Sequence, residues 1–121
     1  MAVDGLATII QVSDLDAAIG FYTDTLGFTE CFRYGEPPYY AIINMGSAIF
    51  HQNSGEEGAA LLGTARSYIA VDEVDSYYQE PCEKGVKITT ELASYPYGMR
   101  DFQLADPDGN RICFGAPVHA E

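Results

Sequence analysis

With 121 residues, 47% of them apolar and 20% charged, the chain is sized for one compact domain whose core needs no disulfides. Acidic residues number 18 and basic ones 6, a formal net charge of -12, which argues against nucleic acid or an anionic membrane as partner; on charge alone it serves solubility first, and it also favours a cationic ligand. No apolar run approaches the ~20 residues of a membrane span. The first residues lack a basic segment followed by an apolar one, and Cys31, Cys82 and Cys113 show neither zinc spacing nor a Cys-x-x-Cys pair, so a cytoplasmic protein with reduced thiols is expected.

The first strand is predicted over Leu6 to Val12. Ser13 and Asp16 resemble a capping box, and Leu15, Ala18, Ile19, Tyr22 and Leu26 recur at helical spacing, with Gly27 as the stop. Strands follow near Thr29 to Tyr34, Tyr39 to Met45 and Ala48 to Gln52, the last two joined by a tight turn at Gly46. Asn53 to Glu57 reads as a flexible acidic loop. The plan then recurs: a strand from Arg66 to Val71, a helix opened by Asp72 with Asp75 that turns Val74, Tyr77 and Tyr78 to the core, and a stop at Gly85. Pro81 should kink or shorten this helix, since it donates no backbone hydrogen bond. Strands near Val86 to Thr90, Arg100 to Ala105 and Arg111 to Phe114 complete the set. Asp106-Pro-Asp-Gly109 joins the last two as a hairpin turn.

The halves resemble each other. Ile10-Gln-Val-Ser-Asp-Leu-Asp16 matches Ile69-Ala-Val-Asp-Glu-Val-Asp75, and Leu26-Gly-Phe28 matches Lys84-Gly-Val86. The chain is therefore read as one domain, 1–121, built from two modules, 5–60 and 64–118, of one supersecondary unit used twice.

That order of elements, with the run Val12-Ser-Asp-Leu-Asp-Ala-Ala-Ile-Gly-Phe-Tyr-Thr-Asp-Thr-Leu-Gly-Phe28 and the run Tyr97-Gly-Met-Arg-Asp-Phe-Gln-Leu-Ala-Asp-Pro-Asp-Gly-Asn-Arg111, resembles the vicinal oxygen chelate superfamily. It groups glyoxalase I, extradiol dioxygenases, fosfomycin-resistance proteins and bleomycin-resistance proteins. The resemblance implies an α+β fold of two tandem βαβββ modules that form a curved mixed sheet with a concave cleft. It also implies a homodimer. A fold of this kind hosts several chemistries and does not fix one.

The superfamily's enzymes hold a divalent metal with His and Glu from fixed strand positions. The resemblance puts those positions at Ala7, at Arg66, at Phe50 or His51, and at Cys113. A guanidinium does not ligate, and His51 with Cys113 falls short of the three protein ligands a catalytic site normally needs. No metal and no cofactor is expected, though a shifted site using His51 with Asp101 or Glu91 stays open. His119 lies in the tail.

Strand alternation proposes the cleft wall. Ala7, Ile9 and Gln11 of the first strand face the cleft, as do Arg66, Tyr68 and Ala70 of the fifth. Phe102, Leu104, Ile112 and Phe114 suit the core, which turns Asp101, Gln103, Arg111 and Cys113 to the site. Tyr39, Tyr40, Tyr95, Tyr97 and Met99 sit on Pro-containing turns at its mouth, where rigid tyrosines suit planar or cationic ligands. The candidate ligand-binding residues are Tyr39, Tyr40, Phe50, His51, Arg66, Tyr68, Tyr95, Tyr97, Met99, Asp101, Arg111 and Cys113. His51 also suits a hydrogen-bonded strand position, and Cys113 an inert buried thiol with no histidine placed to activate it. A cleft-facing arginine needs either a carboxylate, with Asp101 the candidate, or an acidic group on a ligand.

The first reading is a metal-free small-molecule binder resembling the bleomycin-resistance branch, which sequesters a cationic, partly aromatic ligand and catalyses nothing. The alternative is a glyoxalase-like lyase or dioxygenase with a degenerate metal site built from His51, Cys113 and a carboxylate. A third is a dimeric module without a ligand of its own.

Overall fold

The computed structural model describes residues 1–118; residues 119–121, and with them His119, lie outside the described residues. The chain divides into two compact units, Met1–Ala65 and one that begins at Arg66. The first holds β1 (Ala7–Gln11), α1 (Leu15–Gly20), a π-helical turn (Phe21–Thr25), β2 (Thr29–Gly35), β3 (Pro38–Met45), β4 (Ala48–Asn53) and a 3-10 turn (Glu56–Leu61). The second holds β5 (Arg66–Ala70), α2 (Val74–Glu83), β6 (Lys87–Ser94), β7 (Met99–Ala105) and β8 (Arg111–Pro117). Each unit is a four-stranded mixed sheet, β1-β4-β3-β2 in one and β5-β8-β7-β6 in the other. In each, the first strand pairs parallel to the last and the rest pair antiparallel.

The helix covers one face of each sheet. Leu15, Ala18, Ile19, Tyr22 and Leu26 are all buried with Ile10, Val12, Ala41, Ile43 and Phe50, so the helical spacing marked the core correctly. The helix itself changes character halfway. The Thr23 hydroxyl bonds the Ile19 carbonyl at 2.8 Å, competing with the regular ladder. The Leu26 amide then reaches back to the Phe21 carbonyl, five residues away, at 3.2 Å, the widened turn of a π-bulge. In the second unit Tyr77 and Tyr78 pack on Phe102 and Phe114, with Tyr77 4.7 Å from Phe114 and Tyr78 4.7 Å from Phe102.

Several local expectations are corrected. The N-cap of α1 is Asp14, not Ser13: its carboxylate accepts from the Ala17 amide at 3.1 Å. Asp16 instead meets Arg33 at 2.8 Å. Glu73, not Asp72, occupies the N-cap of α2 and makes no side-chain cap bond, while Asp75 is held by Arg100 at 2.7 Å. The α2 helix runs through Pro81 and ends only at Glu83, its Pro81 carbonyl capped by the Val86 amide at 3.0 Å. The acidic loop is ordered by side chains. Asn53 Nδ2 donates to Gln11 Oε1 at 2.9 Å and to Glu57 Oε1 at 3.1 Å, and Gln11 Nε2 donates to the Gly55 carbonyl at 2.8 Å. Gln52, buried on the helix side of β4, has an amide without a hydrogen-bond partner among the described residues, a cost the core absorbs elsewhere.

Candidate functional site

Residues paired across strands share a face, and those two apart on one strand share it too. On the second sheet this rule assembles a polar and aromatic group on the face away from α2. Tyr68 of β5 lies beside Cys113 of β8, which lies beside Gln103 of β7. Asp101 of β7 lies opposite Gly115 of β8. The Tyr68 hydroxyl donates to Asp101 Oδ2 at 2.9 Å. From the turn before β7, the Tyr97 hydroxyl reaches the same carboxylate, 2.8 Å from Oδ2 and 3.0 Å from Oδ1. Tyr95 stacks on Tyr97 with ring centroids 5.6 Å apart and planes within 4°, and its own hydroxyl is tied to the Glu91 carbonyl at 2.8 Å. Thr89 donates to Gln103, whose Nε2 donates to the Cys113 thiol at 3.3 Å.

The layering matters. Asp101 is 5% exposed, whereas Tyr68 is 48% and Tyr97 is 65% exposed. Two exposed tyrosine side chains thus lie over the carboxylate, their hydroxyls pointing back to it. Holding those hydroxyls against a carboxylate resists their ionisation. Tyr97 is pushed up to about 12, chiefly by its hydrogen bond to Asp101, with desolvation second. Tyr68 is raised further, chiefly by desolvation and then by the same carboxylate.

The consequence for pH has a definite sign. Above about pH 10 the unfolded chain releases tyrosine protons that the folded state retains. Whatever stability the pair contributes is complete below pH 10 and declines as pH rises toward 12. Replacing Asp101 by Asn is expected to bring Tyr97 down toward its ordinary range, read as earlier tyrosinate absorbance in an alkaline titration. An unchanged titration would show that the carboxylate does not control the ring.

The first sheet carries the corresponding face. Ile9 lies beside His51 and His51 beside Ile42, so His51 occupies the place in β4 that Cys113 has in β8. Tyr40 corresponds likewise to Asp101. Its hydroxyl bonds His51 Nδ1 at 2.8 Å, with the rings edge to face. Ile9 is 66% exposed, an apolar residue on this polar face.

The candidate residues thus divide. Tyr68, Tyr95, Tyr97, Asp101 and Cys113 come together on the second sheet, and Tyr40 with His51 on the first. Phe50 is withdrawn from the ligand face: it is buried in the core against Tyr22 and Phe28, because it is one residue out of phase with His51. Tyr39 is exposed and meets Tyr34 edge to face. Met99 is half-buried at the start of β7. Arg66 and Arg111 are exposed and not paired with Asp101, which two tyrosines satisfy instead. Among the described residues no three His, Cys, Asp or Glu side chains are grouped to hold a metal.

Gly115, opposite Asp101, is a residue that no motif or periodicity singles out. A Cβ there would overlap the Tyr68 hydroxyl and come within 2.7 Å of Asp101 Cβ. Its absence lets the Tyr68 ring lie across β8. A separate hollow of about 410 Å³ lies on the helix side, at the start of α2, where Arg100 is spent on Asp75.

Comparison with known proteins agrees with this architecture. A bleomycin resistance protein of Geobacillus stearothermophilus is 29% identical, covering 87% of this chain and 90% of its own. Among solved structures, TnmS3, an antibiotic binding protein from Streptomyces sp. CB03234, superposes with a TM-score of 0.81 at 24% identity, covering 98% of this chain and 99% of that one. The bleomycin-binding protein of Streptomyces verticillus, solved with copper(II)-bleomycin, superposes with a TM-score of 0.77, at the same identity and coverage. The family model described as the Glyoxalase/Bleomycin resistance protein/Dioxygenase superfamily matches residues 5–114, and the chain belongs to that family.

Proposed function

We propose that this chain binds a small-molecule antibiotic that is cationic and partly aromatic, and that it sequesters the ligand without breaking a bond. The observation that carries the reading is the pair of exposed rings, Tyr68 and Tyr97, both hydrogen-bonded to buried Asp101. Such rings attract a planar cation through their faces, and the carboxylate behind them adds a negative field. The net charge of -12 extends that field over the approach path. The relatives whose names say that they bind or resist antibiotics support the same direction.

Metal plays no part in the proposal. His51 Nδ1 is engaged by the Tyr40 hydroxyl and the Cys113 thiol by Gln103, so both side chains already have a hydrogen-bonding role. A homodimer, implied by the resemblance, and a reducing compartment suited to three free cysteines complete it.

Isothermal titration with bleomycin and then with a panel of planar aromatic cations tests the reading. Binding in the micromolar range or tighter is expected, weakened by salt and about 10-fold weaker in Asp101→Asn. Protein stripped with a chelator and dialysed should bind equally well. No heat with bleomycin or with any of the panel would reject the proposal. Loss of binding on stripping would favour the metal-dependent alternative.

A further inference from the structure

Only 6 of the 121 residues are Lys or Arg, and the structure sorts them into two groups. Arg33, Lys84 and Arg100 are each paired with carboxylates. Arg66, Lys87 and Arg111 make no ion pair among the described residues. The register gathers these three. Arg66 pairs directly with Arg111, Arg111 with Ala105, and Ala105 with Lys87. They form one transverse row across β5, β8, β7 and β6, on the face that carries Tyr68 and Asp101.

Like charges directly opposite one another on a sheet are destabilising. In a chain with three acids for each base, carboxylates to neutralise them are plentiful, yet none stands in the row. Asp106, in the turn leading into Arg111, has both oxygens committed to its own turn: Oδ1 accepts from the Asp108 and Asn110 amides and Oδ2 from Asn110 Nδ2. Among the described residues no carboxylate pairs with the row, which stands at one end of a face that carries Asp101 at the other.

We infer that Arg66 and Arg111, with Lys87 at the rim, receive an oxyanion of the bound molecule, so that the ligand is amphoteric. Adjacent guanidinium groups match the geometry of a carboxylate, sulfate or phosphate ester. At about 3.3 Å per strand residue, the row lies about 7 Å from Tyr68 along β5 and about 13 Å along β8 from the position opposite Asp101. The ligand is therefore a molecule with a planar cationic end and an anionic group some 7–13 Å away. This rests on the proposed function for its cationic end; the anion site stands on the row alone.

The experiment uses two matched probes, an acridinium-type cation bearing a carboxylate on a short chain and the methyl ester of the same compound. The wild-type protein is expected to bind the carboxylate about 10-fold more tightly than the ester. Arg66→Gln and Arg111→Gln should each reduce that preference and the double variant should abolish it, by weakening the carboxylate probe, with ester affinity no weaker than in wild type because the charges removed repel a cation; Lys84→Gln, outside the row, should keep the wild-type preference. Equal binding of the two probes by wild-type protein, or a preference that survives in the double variant, overturns the inference.

If neither probe binds, the cationic reading of the face fails, and the anion site is decided separately by thermal shift in sulfate against chloride at equal ionic strength. Sulfate stabilises folded proteins in general, so the readout is the difference between wild type and the double variant. A larger sulfate shift in wild type supports the row; identical shifts reject it.

Discussion

Replacing Tyr22 by alanine is expected to destabilise the chain by about 3–5 kcal/mol, the range for removing a large buried aromatic ring. Tyr22 is fully buried and touches three other rings edge to face: Phe21 and Phe28 at 5.6 Å between centroids and Phe50 at 5.8 Å. Phe28 and Phe50 in turn stack at 5.4 Å. The ring joins the end of the helical segment to β4 through Phe50 and to the chain entering β2 through Phe28, so the space it leaves cannot close by moving one side chain. Its carbonyl also caps the chain, accepting from the Phe28 amide at 2.9 Å, a bond the substitution keeps. The loss should appear as a lower urea midpoint with an unchanged slope. Tyr22→Phe should retain most of the stability and so separate the ring from its hydroxyl. A Tyr22→Ala loss below about 1 kcal/mol would mean the cluster collapses around the gap and that this packing is not what holds the first unit together.

The core was legible in the sequence because it follows a simple period. Leu15, Ala18, Ile19, Tyr22 and Leu26 needed only helical spacing, and Phe102, Leu104, Ile112 and Phe114 only alternation. Where the period slips, legibility is lost. The β6 strand was expected to stop at Thr90 and runs to Ser94, because register shifts between Ile88 and Thr90 and between Thr90 and Ala93 break the alternation. Phe50 and His51 differ by one residue and lie on opposite faces, which the motif alone could not settle. Alternation also gave Asp101 its face without giving its partner. Tyr97 arrives from a turn, and no strand pattern places a turn residue over a neighbouring carboxylate. Arginine was the natural guess for that partner; tyrosine hydroxyls fill the role instead. That substitution leaves the arginines in the row unneutralised.

The two units use one plan for different surfaces. The place of His51 and Tyr40 in the first is taken by Cys113 and Asp101 in the second, and the place of Ile9 by Tyr68. The first face carries a neutral hydroxyl–imidazole pair beside an exposed aliphatic side chain. The second carries a carboxylate under two rings and a row of cations. Such divergence within a repeat fits a fold whose backbone is fixed by its helix-side core while the other face is free to vary.

Replacing Gly115 by alanine is expected to separate Tyr68 from Asp101 and to weaken binding of a planar cation by about 10- to 100-fold, roughly 1.4 kcal/mol per factor of ten. The new Cβ would occupy the position of the Tyr68 hydroxyl. That hydroxyl ends a side chain with room to swing, so the ring should turn toward solvent and not split the sheet. Asp101 Cβ is less able to yield, since its backbone is paired with that of residue 115 itself. The fold should therefore lose about 1–3 kcal/mol, as expected of an overpacked position. Once free of the carboxylate and more exposed, Tyr68 should ionise nearer its ordinary pH, because the two largest causes of its raised pKa, desolvation and the Asp101 hydrogen bond, are relieved together. Tyr97 keeps its own bond to Asp101 and should still titrate late. A variant with lowered Tyr68 pKa, a late Tyr97 and weakened ligand binding would tie affinity to the placement of one ring. Binding that persists after Tyr68 has been released would move the contact surface to Tyr97 and Tyr95, and the carboxylate would then act through Tyr97 alone.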